Sequence, residues 1–183
     1  MRLFIAINFT DEMKEQLSGT IRHLKEYAVQ GNFTRNENLH LTLAFIGETA
    51  RVNEVKQAMN GIWAESFLLN ISGLGKFRRD GGDIYWKGAE KTPELLSVYQ
   101  QLFQVLTAMG FHLENREYKP HLTLGREVIL QEGFDKNAFE KEIPKMSMKV
   151  EKISLMKSER INGKLVYTEI YAKTLEQKPA ISN

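Results

Sequence analysis

The chain has no cysteine. That excludes disulfide staples, thiolate-bound zinc and a thiol nucleophile, and it fits a cytoplasmic protein, the localisation expected here. No apolar run approaches the roughly 20 residues needed to span a bilayer. Residues 1–14 carry one early arginine and a short apolar run without a small-residue cleavage site, so they read as a first strand and not as a signal peptide. Neither sign of charge dominates, since 25 basic and 23 acidic residues leave a net charge of +2. Any phosphate-binding surface must therefore be a local patch. There is no G-x-x-x-x-G-K-[ST] loop to support chemistry driven by bound ATP. No His/Asp/Glu cluster has ligand spacing, so neither a metal nor another cofactor is expected. What remains is an ordinary globular composition: 183 residues, 42% of them hydrophobic, enough for a sizeable core.

Against that plain background one tetrapeptide is written twice. His40-Leu41-Thr42-Leu43 and His121-Leu122-Thr123-Leu124 each sit in an apolar stretch that reads as a strand. Strand side chains alternate faces with period two. His40 and Thr42 therefore share one face, and Leu41, Leu43 and Phe45 are expected on the other. In the second copy, His121 and Thr123 oppose Leu122 and Leu124. The leucines can anchor each strand while a histidine and a threonine are presented together. Core packing could repeat the leucines; it would not repeat the polar pair.

The periodicity elsewhere predicts an α+β fold. Residues 2–8 form a strand, and Thr10 caps a helix whose apolar positions Met13, Leu17, Ile21, Leu24 and Ala28 give it about five turns. A shorter helix with Val52, Val55 and Met59 on one face follows the His40 strand. Strands 67–77 and 83–89 are joined at Arg79-Asp80-Gly81-Gly82. Thr92-Pro93-Glu94 opens a second long helix that ends at Gly110. A short helix near Lys136–Lys141 follows the His121 strand. Strands 145–158 and 165–174 flank an Asn162-Gly163 turn, and residues 176–183 read as a frayed tail. Several connections are too short for parallel crossovers, so the sheets are expected to be mixed or antiparallel. Each repeated motif follows a long helix. This suggests one domain, residues 1–183, of two similar lobes facing a central cleft, with helices outside.

Imidazole gives or takes a proton near neutral pH. Displacement at a phosphodiester without metal needs one group to activate the attacking oxygen and another to protonate the leaving oxygen. Two histidines flanking one phosphorus can do both, while Thr42 and Thr123 donate to phosphoryl oxygens that gather charge. Of the remaining histidines, His23 reads as surface and His112 as structural or exposed. Arg35, Lys76, Arg78, Arg79, Lys119 and Arg160 are candidates for an RNA groove, with solvated surface charge as the competing reading. Phe9 and Phe33 could stack on a base, against a core role for each.

The chain resembles the two-histidine (2H) phosphoesterase superfamily, and most closely its LigT-like branch, the RNA 2′,3′-cyclic phosphodiesterases also called 2′-5′ RNA ligases. The resemblance spans nearly the whole sequence. MRLFIAI is similar to the first strand of that branch, LHLTLAFIGE to its first signature and YKPHLTLGRE to its second; SLMKSER, Gly163 and Tyr167 are similar to its closing hairpin. The resemblance implies that His40 is the proton donor, His121 the proton acceptor, and Thr42 and Thr123 phosphate-oxygen ligands. It also implies that Arg126, closing the second motif, binds substrate phosphate. Gly125 stands where alanine is common. The implied substrate is an RNA 3′ end, or a nucleotide, bearing a 2′,3′-cyclic phosphate. The implied product is a 2′-phosphate, and ligation would be the same chemistry with a ribose 5′-hydroxyl as nucleophile. No cofactor or membrane is implied, and a monomer is expected. Two alternatives stay open: the same site acting on small cyclic nucleotides, ADP-ribose cyclic phosphate or 2′-5′ oligonucleotides, and a non-catalytic RNA-end-binding module.

Overall fold

The structure, a computed structural model, describes residues 1–177. Among these are nine strands: β1 (Arg2–Asn8), β2 (Ala28–Phe33), β3 (His40–Glu48), β4 (Phe67–Phe77), β5 (Asp83–Ala89), β6 (His121–Leu130), β7 (Met146–Val150), β8 (Lys152–Ile161) and β9 (Lys164–Thr174). Four helices accompany them: α1 (Asp11–Lys25), α2 (Val52–Gly61), α3 (Pro93–Ala108) and α4 (Lys136–Glu142). The strands form a four-stranded sheet, β3-β1-β8-β9, and a five-stranded sheet, β2-β6-β5-β4-β7. Every strand pair within them is antiparallel. The α+β fold with two sheets, one motif strand in each, is as the sequence predicts.

Local chemistry explains where the elements start. The hydroxyls of Thr10 and Thr92 accept from the amides of Met13 (3.2 Å) and Leu95 (3.3 Å) at the first turns of α1 and α3. Such caps contribute on the order of 1 kcal/mol each. Met13, Leu17, Ile21 and Leu24 of α1 and Leu95, Val98, Leu102 and Leu106 of α3 are all buried. They belong to one continuous core with Leu41, Leu43, Leu122 and Leu124. Asn162 and Gly163, at φ 50° and 77°, make the tight turn between β8 and β9. Positive φ at both central positions is the turn that matches strand twist.

Three expectations are corrected. Helix α1 stops at Lys25, not Ala28, because residues from Ala28 onward pair with β6: Gln30 opposite Ile129 and Phe33 opposite Gly125. A partner roughly a hundred positions away outweighs helical spacing. Segment 145–158 is two strands. Met146–Val150 pairs with β4, and from Lys152 the chain pairs with β1 and β9 in the other sheet. The apolar positions change parity there, from Met146 and Val150 to Ile153 and Leu155, because the chain passes between sheets at Glu151. Finally, Glu176, placed in the expected tail, is paired. Leu175 is buried, and Glu176 exchanges backbone hydrogen bonds with Ala64 and Ser66 at 2.9 and 2.8 Å. Residues 178–183 of that segment lie outside the described residues.

β3 is an edge strand, and Tyr118 caps part of its free edge. The Tyr118 hydroxyl donates to the Thr42 carbonyl at 3.0 Å, and its ring stacks on Tyr99 with centroids 4.0 Å apart and planes 5° from parallel. Burial raises the pKa of this phenol, which keeps it a donor. One hydrogen bond thus ties the segment entering β6 to the first motif strand. Tyr118→Phe keeps the stack and removes only that bond. We expect a loss of about 1 kcal/mol in denaturant unfolding with native circular dichroism; unchanged stability would show that the bond contributes nothing.

Candidate active site

The two motif strands carry the same geometry. In β3 the buried side holds Leu41 and Leu43, at 0% and 2% exposure, and in β6 it holds Leu122 and Leu124, at 1% and 0%. Thr42 faces a cleft from β3, with His40 behind it at hydrogen-bond distance, and His121 and Thr123 face the cleft from the other sheet. A cleft of about 550 Å³ is lined by Thr42, Phe45, Phe77, His121, Thr123 and Arg126, among others.

Each imidazole is fixed by its own strand. His40 Nδ1 lies 2.7 Å from the Asn38 carbonyl, and His121 Nδ1 lies 2.6 Å from the Lys119 carbonyl, two residues upstream in both cases. A carbonyl only accepts, so both Nδ1 atoms carry hydrogen. In the neutral ring, Nε2 is then the bare nitrogen. His40 Nε2 meets the Thr42 hydroxyl at 3.0 Å, which donates to it. His121 Nε2 has no hydrogen-bond partner among the described residues.

The surroundings favour neutral imidazoles. Phe4, Ala6 and Met156 form a small buried cluster with Tyr167 packed against it. The His40 ring lies 4.8 Å from the Phe4 ring and 5.2 Å from the Tyr167 ring. Burial lowers the His40 pKa; the Asn38 carbonyl works against this, while Arg126, His121 and Lys14 add to it. Burial also lowers the His121 pKa, opposed by the Lys119 carbonyl and aided by Arg116 and Arg126. The charge of Arg126 disfavours protonation of both imidazoles. An anion entering the cleft would meet the exposed Arg126 guanidinium there. Among the described residues, no group of three or more His, Asp or Glu side chains converges as a metal would require.

Of the four residues singled out from the repeat, Thr42, His121 and Thr123 line the cleft with Arg126, the residue added by the resemblance, and His40 is bonded to Thr42. The outlying basic candidates divide. Arg79 and Lys119 line the cleft. Arg35 pairs with Glu37 at 3.0 Å and bonds the Leu165 carbonyl, Lys76 pairs with Asp83 at 3.0 Å, and Arg160 bonds the Gly163 carbonyl at 3.1 Å. These three fasten loops and hairpins. Phe9 is a core residue, and Phe33 packs partly buried against the core. Phe33 also explains Gly125: a Cβ there would come within 3.0 Å of the Phe33 ring and of Val128. His23 is not a plain surface residue. It bridges Glu26 at 3.2 Å and Glu142 at 2.6 Å and stacks on Phe139 at 4.9 Å, joining α1 to α4. His112 is exposed, one of the two settings expected for it.

Two features of the cleft escaped the sequence. Trp86 and Phe77 flank His121, with ring centroids at 5.9 and 5.1 Å. Trp86 is Thr123's partner across the β5–β6 pair, so the register that brings it there is non-local. The other is Phe45, expected on the core face but exposed on the cleft face. Ala6 pairs with Thr42 and Ile5 with Ala44, leaving Leu43 as an extra residue. This β-bulge reverses the alternation, and Phe45 pairs with Phe4 on the side of His40. Period two holds only while pairing is regular.

Known proteins share this architecture. The apo structure of E. coli LigT superposes with a TM-score of 0.79 at 26% identity, covering 96% of this chain and 98% of that one. E. coli LigT complexed with 3′-AMP gives a TM-score of 0.74 at 27% identity, covering 95% and 96% of the two chains. Two curated proteins named RNA 2′,3′-cyclic phosphodiesterase are similar in sequence. The one from Methanothermobacter thermautotrophicus is 30% identical over 181 residues, covering 93% of this chain and 96% of the relative. The one from Thermotoga maritima is 29% identical over 178 residues, covering 93% and 94%. The family model of the 2′-5′ RNA ligase superfamily matches residues 13–162. With both motifs inside that span, and a relative of 30% identity matched over 93% of this chain, the chain belongs to the 2′-5′ RNA ligase superfamily.

Proposed function

We propose that this protein is an RNA 2′,3′-cyclic phosphodiesterase that opens a terminal cyclic phosphate to a 2′-phosphomonoester. The observation that carries the reading is the pair of imidazoles, each with Nδ1 held by a backbone carbonyl, with His121 Nε2 unpartnered among the described residues and His40 Nε2 engaged only by the Thr42 hydroxyl. A non-catalytic binder would have no use for two imidazoles poised in this way. The relatives' printed names and the complex of E. coli LigT with 3′-AMP support nucleotide-like phosphate substrates.

In this mechanism water attacks phosphorus opposite the 3′ oxygen. His121 Nε2 takes a proton from the water as the new P–O bond forms. His40 Nε2 gives a proton to the 3′ oxygen as the P–O3′ bond breaks. Thr42 and Thr123 donate to the non-bridging oxygens, and Arg126 offsets their charge. The products are a 2′-phosphate and a 3′-hydroxyl, and proton return between the histidines resets the site. With a ribose 5′-hydroxyl in place of water, the same two transfers run the reversible ligation. An alternative substrate such as a small cyclic nucleotide would use the same atoms.

His40→Ala and His121→Ala should each lower kcat on a cyclic-phosphate dinucleotide by at least about a hundredfold, the low end for a lost acid or base. Thermal unfolding should remain cooperative. A variant that kept more than a tenth of wild-type kcat would lose its assigned role.

The pH profile carries a further expectation. Burial lowers both histidine pKa values from the ordinary imidazole value in the free protein. The profile of kcat/KM reports the free enzyme and should be displaced to the acid side of that of an unperturbed histidine pair. A bound phosphodiester places negative charge beside both rings, favours imidazolium and raises both values, so the bell for kcat should sit at higher pH. The apparent values belong to the coupled pair. A kcat optimum at or below that of kcat/KM would contradict this electrostatic account.

Phosphorus NMR of hydrolysed 2′,3′-cyclic AMP should show adenosine 2′-phosphate. A 3′-phosphate product would mean that the 2′ oxygen leaves, and the proposed in-line arrangement would be reversed.

A further inference from the structure

Three rings meet beside the second motif. His121 lies 5.1 Å from Phe77 and 5.9 Å from Trp86 between ring centroids, and Phe77 lies 5.4 Å from Trp86. His121 and Phe77 line the cleft, and Trp86 packs against both of them. The first motif has a similar bracket, because the Phe4 and Tyr167 rings flank His40.

Cross-strand register makes the room for Trp86. Its partner in β6 is Thr123, and the residue opposite His121 is Gly88, which has no side chain. The indole therefore reaches the imidazole diagonally, a span within the reach of aromatic side chains on a sheet. In β4 the partner of Trp86 is Gly75. A Cβ at residue 75 would lie 2.2 Å from both Cζ2 and Cη2 of the indole, and one at residue 88 would lie 3.6 Å from Cζ3. The outer part of the indole thus occupies the space where any other residue at 75 would carry its side chain.

This placement is unfavourable to the fold in two ways. Gly75 sits inside β4, where glycine loses the most backbone entropy and has no side chain to pack. The Nε1–H of Trp86 is buried and has no hydrogen-bond partner among the described residues. A buried indole normally finds an acceptor, and an unpaired buried donor destabilises. A phenyl ring at residue 86 would fill much of the same space with no orphan donor, so packing alone does not call for the indole. The larger ring adds reach toward His121.

We propose that Trp86, seated on Gly75, is the positioning residue for His121. Its indole closes one side of the imidazole while Phe77 closes another, and the ring is kept with Nδ1–H on the Lys119 carbonyl and Nε2 free. The inference rests on the phosphodiesterase reading for the task of Nε2, but the placement of the ring is a property of the substrate-free protein. Trp86 acts through His121 and takes no part in bond making or breaking.

The test uses Trp86→Phe, Trp86→Leu and Gly75→Ala. It reads turnover of a cyclic-phosphate dinucleotide and long-range proton–nitrogen NMR of the imidazoles in the substrate-free protein. The chain has four histidines, and the signals of His121 are those missing in His121→Ala. At a pH where it is neutral, wild-type His121 should be a single Nδ1–H tautomer, and in each variant it should become a mixture. Displacing reacting groups by about 1 Å can cost up to about a hundredfold, so kcat should fall by about tenfold with KM within about a factor of two. Gly75→Ala retains every atom of Trp86, so the same outcome there locates the effect in where the indole lies. Cooperative thermal unfolding certifies each fold, and Trp86→Phe, which removes the orphan donor, keeps the test available if the other two do not fold. A kcat loss below about fivefold in the Trp86 variants would overturn the proposal, since misplacement of the base should exceed that. So would a His121 that stays a single Nδ1–H tautomer in them, or a rise in KM without a fall in kcat, which would make Trp86 a substrate contact. If wild type turns over no cyclic phosphate, the phosphodiesterase reading fails, and the tautomer of His121 in the variants still decides the positioning role.

Discussion

The site depends on the burial of four leucines. Leu41, Leu43, Leu122 and Leu124 are each at most 2% exposed, and their anchoring fixes which side of each strand faces the cleft. A strand that slipped by one residue would bury His40 and Thr42 and expose the leucines, so register is strongly specified by the core. From that constraint follow the shared face of each His–Thr pair and the backbone geometry that brings the carbonyls of Asn38 and Lys119 to their Nδ1 atoms. Hydrophobic packing on one side of the strand therefore sets the tautomer on the other. Catalytic groups carried on strands whose backs are immobilised hold their position without help from substrate.

The electrostatic design follows from the same packing. The apolar floor of Phe4, Ala6 and Met156 makes the cleft around His40 costly for charge. Arg126 adds to that cost for both imidazoles, and the pKa of each is lowered. A bound phosphodiester would reverse the balance, because its anion would offset Arg126 and stabilise imidazolium. In the proposed mechanism the general acid would then gain its charge with its substrate.

Much of this was legible in the chain. The repeat of His-Leu-Thr-Leu placed each histidine beside a threonine on one face of its strand, because period-two alternation translates directly into faces. Thr10, Thr92 with Pro93, and Asn162-Gly163 marked element boundaries through local chemistry that needs no distant partner. The errors share one cause. Ala28 fits a helix by spacing, yet its segment pairs with β6. Segment 145–158 is continuous as a strand, yet its halves belong to different sheets. Phe45 follows the leucines by parity, yet a bulge opposite Ile5 and Ala6 moves it to the other face. Each depends on a strand remote in sequence, and local periodicity carries no information about that partner's register.

The sequence by itself determined the α+β class, the two motif strands, the two His–Thr pairs at their centre and the family resemblance, because these rest on side-chain identity and short-range alternation. Only the tertiary structure decided how the strands sort into two sheets, that Tyr118 clips β3 to the entrance of β6, that Phe77 and Phe45 line the cleft and that Trp86 packs beside His121. It also decided that Arg35, Lys76 and Arg160 are engaged as fasteners and that His23 is a bridge between helices. The physical reason is that a charge or an aromatic ring acquires its role from what it meets. Those meetings are set by antiparallel register between segments many residues apart, where one bulged residue exchanges core for cleft.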